Sequence, residues 1–507
     1  MRALIVAPAA KSRAKITHQC LRFILFYRSC VLWGARVSRA PPKSRDRQQG
    51  MKRTQWVAIL ALLLAAGATM SARIAQNAGA IGAGYAAKQI CSGVFVARLP
   101  EHFVLNTDVL PRLATVAPLP HLLSYDVDTQ QRTVTARMLG RKIRVEHQPR
   151  SGCTLLSEDA LSARSQPDPT VPYGHLVKKA ADSTPPVSAI NPAIRKALNT
   201  AFTEPPEGGR NTLAVIVIYQ GEIVAERYQA PVTIHTPMQG WSMNKSLMAT
   251  FIGQQIDRER LSLADSVAEA LKNAGADASL ISLVSPDLTL GHLLSMTSGF
   301  DFAERYFPGD DVTDMLYRQP GMWLSAPATG HAHPPGEQFA YSSGDINTAS
   351  LMWQQSLEGQ AYPDWIDAYF GRPLGIREMV LEPDASGIQV GSSYAYLTPR
   401  DWARMGQLWL DAWHGRSPII SQDWQRLAVT PGTANNGEIY GLGFWLNTGH
   451  RAFPSAPEST FHAGGNSGQF VAVLPERELV VVRLGLTLNE SRADMDALLA
   501  DLLAIIE

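Results

Sequence analysis

The stretch "GWSMNKSLMATFIGQQI", residues 240–256, contains the pattern on which the fold prediction depends. Its apolar residues continue at the spacing of a buried helix, and Ser242 stands where that helix would begin. Lys245 follows three residues later, so the two side chains share one face of the helix. Serine is also a preferred N-cap residue, and the same spacing recurs at Ser12 and Lys15. The spacing alone therefore does not separate a nucleophile beside its base from an ordinary cap.

The charges divide the chain into a basic start and an acidic remainder. Of 507 residues, 45% are apolar and 18% are charged, which is typical of a globular protein with one large domain and a smaller one. The net charge is +1, although residues 1–50 hold eleven Lys and Arg against the single Asp46. The acidic remainder gives no electrostatic reason to expect a nucleic-acid partner.

From Met51 the sequence has the three parts of a secretory signal peptide: a basic start, an apolar stretch over 56–66 and small residues after it. The apolar stretch is shorter than the roughly 20 residues of a membrane span. We therefore expect Met51 to be the true start, residues 1–50 to be an untranslated or disordered leader, and residues 51–72 to direct a periplasmic or secreted protein. The alternative is an uncleaved anchor that tethers the protein to the inner membrane, facing the periplasm.

A small module of short strands is predicted over residues 80–155. Apolar and polar residues alternate there around turn-like breaks at 128–131 and Gly140. Cys91 and Cys153 lie near the two ends of this module. An even pair of cysteines in an exported chain favours a disulfide, and two buried free thiols are the alternative.

A linker and a large domain follow the module. Residues 156–190 are rich in Ser, Pro, Asp and Ala without periodicity, which indicates a linker. Within residues 191–507 we expect a helix over 192–202, a hairpin around 220–222 and two strands joined by a turn at 475–477. Strands at both ends with helical sequence between them predict one antiparallel sheet assembled from distant segments.

Four motifs occur in order in this last domain. They are Ser242 to Lys245, then "LTLGHLLSMTSGFDF", then Tyr341 to Ser343 in "AYSSGD", then "HAGGNSGQF". With these motifs, residues 190–507 resemble the serine β-lactamase and penicillin-binding superfamily, and among its members the class C-like esterases and 6-aminohexanoate-oligomer hydrolases. The resemblance implies a β-lactamase-like fold of the α/β (α+β) class, with an antiparallel sheet flanked by helices, and a serine hydrolase activity.

The chemistry of a serine hydrolase explains why these motifs contain a serine, a lysine and a tyrosine. A serine hydroxyl is a poor nucleophile until a base removes its proton, and a lysine one helical turn away serves if its pKa falls well below about 10.4. Burial in an apolar helix lowers the pKa of Lys245 in that way. In the resembling family the matching Lys and Tyr, here Lys245 and Tyr341, share proton transfer. Which of the two takes the first proton stays open.

The resemblance also implies how a substrate would be held. A tetrahedral oxyanion needs backbone donors, which would be the N–H groups of Ser242 and of either Gly465 or Asn466. Ser343 would line the pocket. Glu304 and Tyr306 fall where amide hydrolases of the subgroup place residues that cover the substrate, and a loop that packs on the domain is the alternative.

One departure from the family concerns His462, Ala463 and Gly464. β-Lactamases and peptidases carry Lys-Thr/Ser-Gly on this strand, so the chain lacks the lysine and hydroxyl that grip an antibiotic's carboxylate. The departure favours an esterase or amide hydrolase. His462 would replace part of the missing charge if it is protonated, and a neutral structural histidine is the alternative.

The sequence thus predicts an enzyme that cleaves a small-molecule ester or amide through an acyl-enzyme on Ser242. Neither a metal nor an organic cofactor is implied. His331 and His333 look like a metal pair, but no Cys or third His lies nearby and Pro334 follows, which favours a loop. The alternatives are a β-lactamase or D,D-peptidase acting on β-lactams or peptidoglycan, and a non-catalytic binding protein on the same fold.

Overall fold

The structure is a computed structural model. The residues that it describes are 53–115, 120–156, 191–376 and 378–506. The chain divides into two compact units, Met1–Ala68 and Thr69–Glu507. The described part of the first unit, residues 53–68, is helical. The predicted leader and nearly all of the predicted linker lie outside the described residues.

Helix α1 (Arg53–Cys91) opens the described chain. Its leucines between Leu60 and Leu64 are exposed, whereas nearly every side chain from Ala80 to Cys91 is buried. Among the described residues, no helix combines the length and the apolar character that crossing a membrane requires. Export, signal cleavage and a membrane tether stay predictions from the sequence.

The module predicted as β-structure over residues 80–155 is helical in its first half, which corrects that prediction. After α1 come two short helices, α2 (Glu101–Val104) and α3 (Leu110–Ala114), and strands begin only at Ser124. The alternating pattern was confined to the second half of the module. The first half is rich in Gly and Ala, and a Cβ at Gly84 would overlap the backbone of Tyr317. Small residues therefore let this helix pack closely without an amphipathic pattern.

The second half of the module is the predicted β-meander. Its four antiparallel strands are β1 (Ser124–Asp128), β2 (Thr133–Met138), β3 (Arg141–Gln148) and β4 (Gly152–Leu156), paired in that order. The first two turns contain the breaks that the sequence predicted. A disulfide joins Cys91 at the end of α1 to Cys153 in β4.

The large domain contains the remaining strands and helices. The strands are β5 (Thr212–Tyr219), β6 (Glu222–Tyr228), β7 (Met238–Gln239), β8 (Met379–Leu381), β9 (Ala395–Leu397), β10 (Trp445–Leu446), β11 (Phe461–Gly465), β12 (Gln469–Leu474) and β13 (Leu479–Gly485). The helices are α4 (Pro192–Phe202), α5 (Met243–Asp257), α6 (Val267–Asn273), α7 (Ala278–Ile281), α8 (Leu290–Leu294), α9 (Asp311–Arg318), α10 (Ser343–Gln355), α11 (Tyr362–Ile366), α12 (Arg372–Leu374), α13 (Pro399–Trp413), α14 (Gln422–Ala428) and α15 (Met495–Leu503).

One antiparallel sheet is assembled from distant segments, as predicted. Its strand order is β10-β11-β12-β13-β5-β6, and β7-β9-β8 form a small second sheet. Strand β5 is buried on both faces: Ile216 and Ile218 pack in the core with α5, whereas Val215 and Val217 pack with α4 and α15. The large sheet therefore separates two layers of helices, and α5 lies on the face that carries the largest core.

The module and the large domain contact each other through a buried ion pair. Lys88 of α1 pairs with Glu382, which follows β8, and both side chains are at most 1% exposed. Two further donors reach the same carboxylate: the Ser92 hydroxyl at 2.8 Å and the Cys153 N–H at 2.7 Å. Since a buried charge is costly unless it is paired, these groups stabilise the contact only as a complete set.

We predict that Glu382→Gln lowers the free energy of unfolding by about 3–5 kcal/mol, because it leaves the Lys88 ammonium buried without its counter-ion. Denaturant titration followed by circular dichroism measures the change. The control is Glu358→Gln, which removes the carboxylate of an exposed pair with Arg260 and should change the stability little. Equal effects of the two substitutions would contradict the prediction.

Candidate active site

Ser242 precedes α5, and its hydroxyl is held by a lysine rather than by the helix backbone. The side chain makes no capping hydrogen bond, and Lys245 Nζ lies 2.9 Å from Ser242 Oγ. Ser242 keeps 9% of its surface exposed, whereas Lys245 keeps 1%. Trp241, immediately before the serine, has φ +48°, a strained value for a residue with a side chain. The geometry is that of a largely buried hydroxyl beside a fully buried amine.

The partners of Lys245 determine where its lone pair would point. Nζ lies 2.9 Å from Ser343 Oγ and 3.2 Å from the Ser392 carbonyl oxygen. The carbonyl only accepts, and the Ser343 hydroxyl donates its own proton to Glu304. A neutral amine has two N–H donors, which these two partners use. Its lone pair is then left for the hydroxyl of Ser242.

Burial also lowers the pKa of Lys245, to about 8, even though the carboxylates of Glu304 and Asp345 act to raise it. The cause is desolvation, which penalises the charged form of the amine. At mildly alkaline pH a large fraction of Lys245 is therefore uncharged and able to accept a proton.

Glu304 orients Ser343, a contact that the sequence did not indicate. Its carboxylate accepts the backbone N–H of Ser343 at 2.7 Å, the Ser343 hydroxyl at 2.5 Å and the Tyr306 hydroxyl at 3.2 Å. Burial raises the pKa of Glu304, and the positive charge of Lys245 opposes that rise. The five residues Ser242, Lys245, Ser343, Glu304 and Tyr306 thus form one continuous chain of hydrogen bonds.

Tyr341 lies beside Lys245. The ammonium of Lys245 is 4.8 Å from the centre of the Tyr341 ring, within cation–π range. The ring stacks on Trp445, with centroids 5.1 Å apart. The motif that carries Tyr341 is completed by Ser342, whose hydroxyl accepts the Asp345 N–H and caps α10.

The end of β11 passes close to the start of α5, where the sequence predicted the oxyanion donors. A Cβ on Gly465 would overlap the carbonyl oxygen of Gly240, so this strand approaches the segment before Ser242 more closely than any other residue would permit. The side-chain oxygen of Asn466 accepts from Arg112 Nη2 at 2.7 Å. Gly465 and Asn466 both belong to the turn beside Ser242, and the choice between them stays a prediction.

His462 is buried on the other face of β11. Its ring lies 4.7 Å from that of Phe453 and 5.9 Å from that of Phe470, and burial lowers its pKa to about 3. The imidazole is therefore neutral at ordinary pH, which favours the structural interpretation over a positive charge for the substrate.

Sequence reasoning missed the segment around Ser392. Asn244 of α5 donates to the Val390 carbonyl at 2.8 Å, and Asn347 of α10 accepts the Ser392 N–H at 3.1 Å. These contacts hold the Ser392 carbonyl on Lys245. A backbone carbonyl cannot be recognised from the residue type. The two asparagines inside apolar helices did indicate buried polar contacts, because a buried amide needs hydrogen-bond partners.

The side chain of His331 contacts protein groups instead of a metal ligand set. His331 Nε2 accepts the Ser285 N–H at 2.9 Å, and its ring stacks on Phe300. Within the described residues, no group of three or more His, Cys, Asp or Glu side chains is arranged to hold a metal ion.

A helix-flanked antiparallel sheet with Ser-x-x-Lys at the start of a buried helix is the arrangement of the β-lactamase-like fold. The beta-lactamase family matches residues 195–504, more than half of the chain, so the chain belongs to that family. It is 26% identical over 283 residues to the 6-aminohexanoate-dimer hydrolase of Paenarthrobacter ureafaciens, a match that covers 51% of this chain and 69% of that protein.

The solved structure of EstCE1 agrees with this fold. EstCE1, described as a hydrolase with promiscuous acyltransferase activity, matches with a TM-score of 0.51 at 16% identity, over 61% of this chain and 98% of its own. A class C beta-lactamase matches with a TM-score of 0.48 at 16% identity, over 62% of this chain and 96% of its own. At these identities the likeness concerns the fold alone.

The contact between Gly465 and Gly240 generates a stability prediction. Gly465→Ala should lower the free energy of unfolding by about 1–3 kcal/mol, because the new methyl group has no space beside the Gly240 carbonyl. The matched control is Gly464→Ala, whose Cβ would lie 3.3 Å from the Trp445 ring and needs only a small adjustment. Thermal unfolding compares them, and a control as unstable as Gly465→Ala would refute the close approach.

Proposed function

We propose that this protein is a serine hydrolase that cleaves an ester or amide through an acyl-enzyme on Ser242. The observation that carries the proposal is the 2.9 Å contact between the Ser242 hydroxyl and the buried Lys245 amine. A protein that only binds its ligand has no need of a desolvated base within hydrogen-bond distance of a serine hydroxyl.

In the proposed reaction, Lys245 takes the hydroxyl proton while Ser242 Oγ bonds to the substrate's carbonyl carbon. The N–H groups of Ser242 and of either Gly465 or Asn466 stabilise the resulting oxyanion. The bond to the leaving alcohol or amine then breaks, and that group takes a proton from the pair formed by Lys245 and Tyr341. Water attacks the acyl-enzyme with the same base, which releases the acid and restores the Ser242 hydroxyl.

The proposed substrate is a linear ester or amide rather than a β-lactam. The relative from Paenarthrobacter ureafaciens is named for hydrolysis of 6-aminohexanoate dimers, and this name favours an amide. Ala463 lacks the hydroxyl, and the buried His462 lacks the positive charge, that would bind the carboxylate of a penicillin on β11. Covalent capture of a labelled penicillin would therefore support the alternative function, a β-lactamase or D,D-peptidase.

A fluorophosphonate probe tests the nucleophile directly. The wild-type protein should be labelled once, and Ser242→Ala should remove the label, because phosphonylation requires the activated hydroxyl. In-gel fluorescence with mass spectrometry of the labelled peptide measures the result. The matched control is Ser246→Ala, one turn further along α5, whose hydroxyl bonds to the Gly443 carbonyl instead of a lysine. A folded wild type that takes no label would favour the binding protein.

The pH profile tests the base. We expect kcat/KM for an uncharged 4-nitrophenyl ester to rise with pH through a midpoint of about 8, since the free amine of Lys245 is the reactive form and its fraction grows as pH passes its pKa. Glu304→Gln should move the midpoint to lower pH, because the carboxylate raises the pKa of Lys245.

The control for this shift is Glu358→Gln, which removes an exposed carboxylate on the surface. It should leave the midpoint unchanged. A profile that is flat between pH 6 and 9 by this assay, or a midpoint that Glu304→Gln moves upward, would rule out Lys245 as the base.

A further inference from the structure

A cavity of about 140 Å³ lies between the module and the large domain. The module contributes Ile81 and Tyr85 of α1 together with Arg112 and Leu113 of α3. The side chains from the large domain include Trp241, Tyr306, Pro308, Thr313, Tyr317 and Asn466. The walls are mainly apolar and aromatic, so the cavity fits a hydrocarbon chain better than a polar ligand.

The cavity is lined by neighbours of the candidate catalytic groups, whereas Ser242, Lys245 and Tyr341 are not among its lining residues. Trp241 is the residue before Ser242, and Asn466 follows Gly465 at the end of β11. Tyr306 is joined to Lys245 through the hydrogen bonds of Glu304 and Ser343. An acyl group on Ser242 that extends past Trp241 would enter this cavity.

Arg112 is the cationic side chain in the cavity wall. Its Nη2 donates to Asn466 Oδ1 and to Ser467 Oγ, both at 2.7 Å, so neutral acceptors orient the guanidinium. Among the described residues, no carboxylate lies within ion-pair distance of Arg112. Asp108, which accepts the Tyr85 hydroxyl at 2.5 Å, is close enough that its charge helps to raise the pKa of Arg112 against the effect of burial. A guanidinium has five donors in a planar fork, which suits a carboxylate or a phosphate.

We propose that the cavity binds the acyl chain of the substrate and that Arg112 binds a carboxylate carried by that chain. The module then supplies the anion-binding group that β11 lacks at His462. This inference deepens the proposed function by naming the substrate class: esters or amides of a short dicarboxylic or similarly anionic acid. The cavity volume is close to that of an engineered cavity that holds benzene, which corresponds to a chain of about six carbons.

Two esters of equal chain length test the specificity. They are mono-(4-nitrophenyl) adipate, which is anionic, and 4-nitrophenyl hexanoate, which is uncharged. In the wild type kcat/KM should favour the adipate ester, and Arg112→Gln should lower that preference about 10- to 100-fold, mainly through KM. Arg112→Lys should restore part of it, whereas Arg372→Gln, an exposed arginine paired with Asp367, should change nothing.

A merely structural role for Arg112 would give a different result. If Arg112 served only to hold the Asn466 turn, Arg112→Gln would reduce kcat/KM for both esters equally and leave the preference unchanged. That outcome overturns the inference, and so does a wild type that does not prefer the anionic ester, while the proposed function survives both.

Binding without turnover decides the inference independently of catalysis. Isothermal titration of the full chain with hexanoate and with hexan-1-ol needs no activity, because neither compound has an acyl carbon with a leaving group for the proposed reaction. Hexanoate should bind more tightly than hexan-1-ol, and Arg112→Gln should remove the difference. Equal binding of both compounds by the wild type, or a difference that survives Arg112→Gln, overturns the inference even if Ser242 proves inert to the ester substrates.

Discussion

The site depends on keeping one amine out of water. Removing the Lys245 ammonium from solvent penalises its charged form, and the carboxylates of Glu304 and Asp345 partly offset that penalty. With the resulting pKa of about 8, the protonated and the free amine of Lys245 are both well populated at mildly alkaline pH. A lysine on the surface would stay protonated. A lysine buried without carboxylates would be neutral, but it would lack Glu304, which orients its partner Ser343. The fold supplies both the burial and the counter-charge.

Three separate segments must meet to produce this arrangement. Ser242 and Lys245 come from α5, Ser343 comes from the start of α10, and the carbonyl of Ser392 comes from the loop before β9. The asparagines Asn244 and Asn347 tie that loop to the two helices. Buried polar groups of this kind are tolerated only when they are paired, so the hydrogen bonds specify one relative position of the helices as well as the chemistry. The same hydrogen bonds therefore support both the stability of the fold and the proposed activity.

The sequence predicted the parts that depend on residue type and periodicity. The helix after Ser242, the hairpin of β5 and β6, and the strands on both sides of residues 475–477 follow from apolar spacing and turn residues. It could not predict the role of Ser392, because any residue offers a carbonyl. It also misassigned the first half of the module, since a helix that packs through glycine and alanine has neither the 3.6-residue period nor a break that marks it. The contact of Glu304 with Ser343 could not be predicted either, because the two residues are 39 positions apart in the sequence.

The contact between the module and the large domain has consequences for the site. Lys88 lies three residues after Tyr85 on α1, so the ion pair with Glu382 and a wall of the cavity are one helical turn apart. The disulfide fixes the end of the same helix to β4. A helix held at two such points has little freedom to tilt, and α3, which carries Arg112, packs on the buried side of this module through Leu113. The docking of the module therefore sets the distance from the guanidinium to Asn466. If Arg112 binds the substrate as proposed, little conformational entropy is lost on binding, because Asn466 and Ser467 already orient the guanidinium.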